Sequence, residues 1–144
     1  MLDSLIGTHH SFAALVLRIV LGIIFVAHGY PKLYKKDFGP KGFAAFLKNL
    51  NVVPPLFWAY AVGITEFFGG LCLILGIWTQ LASFLIACIM MAAMWKVKFK
   101  TGLFAKAMEG GWVGGYELDL SLGAIAVGLT VSGGGVFSLD HLLR

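Results

Sequence analysis

The sequence predicts an all-α membrane protein, an antiparallel bundle of four transmembrane helices within 144 residues. Hydrophobic residues make up 59% of the chain and charged residues only 12%, whereas about a quarter of the residues in a soluble domain are charged. The apolar residues also form four runs, and each approaches the roughly 20 residues that a helix needs to cross a bilayer. Because no linker, low-complexity block or domain-scale repeat divides the chain, we expect one domain over residues 1–144.

The sequence predicts four spans, and a single residue, Trp78, separates the second from the third. The spans cover residues 12–30, 55–77, 79–95 and 118 to about 137. Between the first two spans, residues 42–53 carry apolar side chains at spacings of three and four, namely Phe43, Phe46, Leu47 and Leu50. This periodicity predicts a short amphipathic helix that lies on the membrane surface before the Pro54-Pro55 break.

The lysines predict the orientation of the bundle. They follow the first and third spans, at Lys32, Lys35, Lys36, Lys41, Lys48, Lys96, Lys98, Lys100 and Lys106. The positive-inside rule places this lysine side in the cytoplasm and both termini outside. Aromatic residues of an interfacial belt mark the same side, at Tyr30, Trp58, Trp95 and Tyr116. Anionic lipids beside these lysines account for the net charge of +4 without a nucleic acid partner.

Two ionisable residues, Arg18 and Glu66, stand inside the predicted spans. An ionised side chain near a helix centre costs about 2.5 to 3.5 kcal/mol, so each needs a partner. Arg18 lies 12 residues before Tyr30 and Glu66 lies 11 residues after Pro55, which predicts nearly equal depths and an Arg18–Glu66 ion pair. Small residues on the same faces, such as Gly22 and Gly29, predict close helix packing. The pair would either fix the register of the bundle or serve a ligand or a proton.

A second polar group is predicted on the lysine side. His28 and Lys32 end the first span, and Glu117 and Asp119 begin the fourth, so the four side chains can meet at one depth. His28 is either a group that titrates near neutral pH or an ordinary interfacial anchor. The two acids also favour the dipole at a helix N-terminus.

No metal site is predicted. Cys72 and Cys88 lie in separate apolar runs, without a C-x-x-C motif or neighbouring ligands at metal spacing. They are expected to be small buried apolar side chains. His9 and His10 are adjacent, so on a helix they would point apart and chelate poorly.

Three motifs resemble those of the DoxX family of membrane proteins. The first covers residues 17–32, with an Arg, then Gly-x-x-Phe, then His-Gly and Lys. The second is EFFGGLCLILG at residues 66–76, and the third joins Glu117 to GGGVFSLD at residues 133–140. Gly134 stands where the family often has a proline. The resemblance implies a four-helix bundle in a bacterial plasma (inner) membrane, with Arg18, His28, Glu66 and Glu117 as recurring polar positions.

The resemblance also implies a link to redox chemistry, because some DoxX relatives are associated with thiosulfate:quinone oxidoreduction or with thiol-stress complexes. The first hypothesis is therefore an integral membrane subunit of an oxidoreductase, with a quinone between the first, second and fourth spans. Arg18 and His28 would donate hydrogen bonds to the quinone, and Glu66 or Glu117 would relay protons, with Lys32 nearby. A soluble or membrane redox partner would supply the electrons, since the sequence has no flavin or redox-metal motif.

Two other functions stay open at the level of sequence. The chain could be a non-catalytic anchor or assembly protein whose lysine loops recruit a soluble partner. It could also be a small proton-coupled transporter, for which four short helices offer little room unless a homo-oligomer forms.

Overall fold

The computed structural model describes the backbone of residues 2–99, 101–108 and 111–143, and the side chains of residues 12–99, 101–105 and 114–143. These residues form six α-helices: α1 (Leu2–Tyr34), α2 (Gly39–Asn49), α3 (Pro55–Leu75), α4 (Thr79–Ala93), α5 (Glu117–Ser132) and α6 (Leu139–Leu142). A π-helical segment, Met94–Lys98, continues α4. The architecture is mainly helical, as the composition predicts.

A short hairpin departs from the all-helical prediction. Strand β1 (Lys106–Met108) pairs antiparallel with β2 (Gly111–Val113), with Lys106 opposite Val113 and Met108 opposite Gly111. The hairpin occupies the connection between the π-helical segment and α5. No apolar periodicity marks strands this short, so the sequence does not predict them.

Among the described residues, three helices are long and apolar enough to cross a membrane. They cover Phe12–Tyr34, Pro55–Leu75 and Thr79–Lys98, with 23, 21 and 20 residues, and they match the first three predicted spans. Helix α5 falls within the fourth predicted span but has only 16 residues, about 24 Å of helix. It ends at Gly133, whose φ of 74° is a left-handed value that favours glycine.

Helices α1 and α3 pack closely through glycines. A Cβ atom built on Gly29 would lie 2.4 Å from the backbone nitrogen of Phe67, and one on Gly22 would lie 2.6 Å from the carbonyl oxygen of Gly70. Small residues at such positions let the backbones of membrane helices approach each other. The contact sets an antiparallel register in which Gly29 lies level with Phe67.

This register makes α3 extend past the lysine-side end of α1. Helix α2 fills the space beyond α1, because Phe43, Ala44 and Leu47 pack with Ala59 of α3 in a small apolar cluster. Helix α4 packs between α3 and α5, and α5 also contacts α1. The main core lies among these four helices and includes Leu21, Phe25, Leu73, Ile86, Ala126 and Leu129.

We expect Gly29→Ala to lower the free energy of unfolding by about 1 to 3 kcal/mol, because the new Cβ meets the Phe67 backbone and must push α1 from α3. Thermal unfolding in detergent measures this loss. Gly128→Ala is the matched control, since a Cβ there meets nothing within 4 Å. Equal unfolding temperatures for both variants would contradict the close contact.

Candidate functional site

The site is built around an ion pair between Lys32, in the last turn of α1, and Glu66, in the middle of α3. Lys32 Nζ lies 2.6 Å from both Glu66 Oε1 and Oε2. Glu66 is only 2% exposed, whereas the Lys32 side chain is 18% exposed. The carboxylate is therefore desolvated and depends on the ammonium, because a buried charge without a partner is strongly unfavourable.

Helix α2 covers the lysine-side end of this ion pair. Lys32 Nζ lies 4.7 Å from the centre of the Phe43 ring, within the distance of a cation–π interaction. Phe43 is itself buried against α3. The predicted amphipathic helix thus also provides the aromatic ring that contacts the ion pair.

The predicted Arg18–Glu66 ion pair is wrong. The prediction counted residues from the lysine-side ends of two helices as if these ends were level. In the structure α1 continues to Tyr34, and the glycine contacts place Glu66 beside the last turns of α1. Arg18 lies 14 residues before Lys32, about 21 Å away along the helix.

Arg18 is instead buried at the opposite end of the bundle, where it is 2% exposed. Its Nη1 donates to the carbonyl oxygens of Leu73 (3.1 Å) and Ile74 (3.0 Å), and its Nη2 donates to that of Phe137. The carbonyls at a helix C-terminus lack partners within the helix and carry partial negative charge. Arg18 therefore stabilises the end of α3 and holds the C-terminal segment against it.

Asp140 completes this arrangement in a role that its sequence position does not predict. Its carboxylate accepts hydrogen bonds from the backbone nitrogens of Trp78 (2.7 Å) and Thr79 (2.8 Å), which begin α4. Its own backbone nitrogen donates to Gly76 O at 2.8 Å. An aspartate at a helix N-terminus is typical, but this one comes from 61 residues away, so only its place in the third motif hinted at it. We call Arg18, Asp140 and the turn at residues 76–78 the turn clamp.

The predicted meeting of His28, Lys32, Glu117 and Asp119 does not form as one cluster. Asp119 pairs with Lys98 at 2.7 Å, while Glu117 Oε1 accepts from the backbone nitrogen of Ala105 at 3.4 Å. His28 is exposed, and its Nδ1 lies 2.8 Å from Ile24 O. The acids of α5 contact the segment between α4 and α5, whereas His28 remains beside Lys32, one turn away on α1.

The other candidates are outside this site. Cys72 is half-buried, and Cys88 is exposed on the surface of α4, so the expectation of buried cysteines is wrong for Cys88. A bilayer would cover that surface. The side chains of His9 and His10 lie outside the described residues.

Comparison with known proteins identifies the family. The DoxX family matches residues 13–98, more than half of the chain. The chain belongs to the DoxX family. This confirms the resemblance drawn from the motifs, and the matched region contains Arg18, His28, Lys32 and Glu66 but not Glu117.

A curated relative of this DoxX protein is "Putative oxidoreductase CatD" from Bacillus subtilis (strain 168). The two are 29% identical over 126 residues, which cover 88% of this chain and 83% of the relative. No solved structure matches the chain. With its three long apolar helices, the DoxX chain is a membrane protein.

We expect Arg18→Met to lower the free energy of unfolding by about 2 kcal/mol or more, because the carbonyls of Ile74 and Phe137 lose their donor and each such loss costs about 1 to 3 kcal/mol. Leu73 O keeps a hydrogen bond from Gly76 N. Thermal unfolding in detergent measures the effect. Arg18→Lys, which keeps the charge but offers one nitrogen, should fall between Met and the wild type. Wild-type stability of Arg18→Met would contradict the turn clamp.

Proposed function

We propose that this DoxX protein is an integral membrane component of a redox system that binds a quinone head group beside Lys32, Glu66 and His28. One observation carries the proposal. The chain keeps a buried carboxylate and its ammonium partner at the edge of the membrane span, with an exposed histidine one turn away. Ionisable groups inside membrane segments are unfavourable and usually mark functional sites.

The donors of Lys32 fit such a ligand. An ammonium group has three N–H bonds, and Glu66 accepts from Nζ through both carboxylate oxygens. One N–H remains for a further acceptor on the side where Lys32 is exposed. A carbonyl oxygen of a quinone matches this donor, and its ring matches an apolar surface.

His28 offers a hydrogen-bond acceptor for the ligand, beside the donor that Lys32 provides. A carbonyl oxygen only accepts, so the short contact with Ile24 O requires the proton on His28 Nδ1. The neutral imidazole then has an unprotonated Nε2, which can hydrogen-bond a hydroxyl of the bound quinol and exchange a proton with it.

The roles of Arg18 and Glu117 differ from those predicted from sequence. The Arg18 Nη donors are engaged by carbonyls at the far end of the bundle, and a Glu117 oxygen accepts from Ala105. We therefore propose structural roles for both residues.

A bound quinone would take up two electrons and two protons, and a redox partner protein would supply the electrons. The name of the CatD relative supports a redox role.

We further propose that α5 is the fourth transmembrane helix and that α2 lies at the membrane surface. Helix α5 packs along α4 and contacts α1, which supports a position at the same depth as the three longer helices. The protein would then lie in the inner membrane of a bacterium with its lysine side in the cytoplasm, because the exposed lysines of the first loop all lie on that side.

Replacing Lys32 by Met is expected to weaken quinone binding about tenfold or more, because a charge-assisted hydrogen bond contributes about 1.5 to 3 kcal/mol. Quenching of tryptophan fluorescence by decylubiquinone in lipid nanodiscs measures this affinity. Lys98→Met is the matched control, since it breaks the Lys98–Asp119 pair on the same side of the protein. Equal losses in both variants would assign the effect to surface charge and contradict the site.

Labelling with a membrane-impermeant maleimide tests the topology in intact cells. Asn49→Cys and Leu142→Cys place thiols at exposed positions of the two sides, in a background with Cys72 and Cys88 replaced by Ser. We expect the reagent to label only the thiol at position 142 before lysis and both thiols after it. Labelling of position 49 alone in intact cells would reverse the orientation.

A further inference from the structure

We infer that the ligand of the Lys32–Glu66 pair enters sideways from the bilayer, between α1 and α5, and is a neutral amphiphile with a long apolar tail. This inference rests on the proposed function and adds the class of ligand and its entrance. It follows from which sides of the ion pair the chain closes and which it leaves open.

Two sides of the pair are closed. The contact between α1 and α3 is closed, because Gly29 lies so near the Phe67 backbone that no Cβ would fit, and Gly63 packs against the end of the Leu33 side chain. The lysine-side end is covered by α2, whose Phe43 ring lies under Lys32 Nζ. A ligand therefore reaches the pair neither through the α1–α3 contact nor along the bundle axis from the water.

The third side opens where α1 faces α5. On α1, Ala14, Arg18, Leu21 and Phe25 form a buried stripe at helical spacing, yet His28, the next member at a step of three, is exposed. On α5, Leu129 and Leu122 are 1% and 8% exposed, yet Leu118, one turn further, is 54% exposed. Asp119 of α5 stays buried at this end and pairs with Lys98 of the segment that continues α4. Helix α5 therefore remains packed on that segment, while the edges of α1 and α5 that carry His28 and Leu118 are uncovered.

The opening lies within the membrane span. His28 is six residues before the end of the span at Tyr34, about 9 Å inside it. A side opening at that depth faces lipid and not water, so the ligand must partition into the bilayer. Its polar head would meet Lys32 and His28, while its tail would pass Leu118 and remain among the lipid chains.

The charges at the site select against an anionic lipid. Lys32 and Glu66 together are neutral, and the carboxylate lies against the ammonium at 2.6 Å, so a phosphate would meet no net positive charge there. A neutral head group with hydrogen-bond acceptors needs no net positive charge and can still accept a hydrogen bond from Lys32. Lysines that would suit phosphates lie instead in the exposed loop after α1, at Lys35 and Lys36.

Substitutions at the opening test this route. Leu118→Trp should lower the association rate of decylubiquinone about tenfold in nanodiscs by narrowing the gap, and Leu118→Ala should raise it. Val127→Trp is the matched control, because Val127 lies on the same helix with a similar exposure of 52% but outside the Leu118–Leu122–Leu129 stripe. Stopped-flow fluorescence gives the rates without any assay of electron transfer.

A tail-less benzoquinone with the same head group gives a second readout. At equal concentration within the membrane it should bind more weakly than decylubiquinone, and Leu118→Trp should affect it less. Unchanged rates in both Leu118 variants, together with Lys32-dependent binding in the wild type, would overturn the lateral entrance and leave the proposed function standing.

The remaining outcomes separate the two ideas further. Absence of saturable binding of either quinone to the wild type would overturn the proposed function and the entrance with it. Displacement of bound decylubiquinone by phosphatidylglycerol, detected by native mass spectrometry, would overturn the selection of a neutral head group.

Discussion

The structure depends most on how one guanidinium group is satisfied inside an apolar bundle. Arg18 is buried in α1 and donates to carbonyls at the end of α3 and in the C-terminal segment. Asp140 approaches the same turn from the other side and accepts from the first amides of α4. Because the positive group meets carbonyls and the negative group meets amides, the turn clamp complements both helix dipoles with charges brought from distant parts of the chain.

The turn clamp and the glycine contacts together fix how far α1 slides along α3. This register explains why Glu66 lies beside Lys32 although its position in the sequence suggests mid-depth. It also leaves the first turns of α3 without cover from α1, and α2 supplies that cover through Phe43, Ala44 and Leu47. The Lys32–Glu66 pair, its contact with Phe43 and the position of α2 therefore all follow from the offset between α1 and α3.

The sequence predicted where the helices and the buried polar residues lie, but not which residues those polar side chains contact. Apolar runs locate α1, α3 and α4 because a span has a minimum length, and the same rarity of charge that predicts membrane helices singles out Arg18 and Glu66. Their pairing could not be derived, because it depends on relative helix depth, which the glycine contacts set in three dimensions. Asp140 was missed for the same reason, since it caps a helix that is remote in sequence.

The Lys32–Glu66 pair also divides the lysines of the chain into two electrostatic classes. Lys35, Lys36, Lys41 and Lys48 are exposed, so dissolved salt screens their attraction to anionic lipids over about 10 Å at 0.1 M. Lys32 lies against a buried carboxylate and an aromatic ring, where mobile ions do not enter. Ionic strength therefore alters how the protein meets the membrane surface while leaving the internal pair intact.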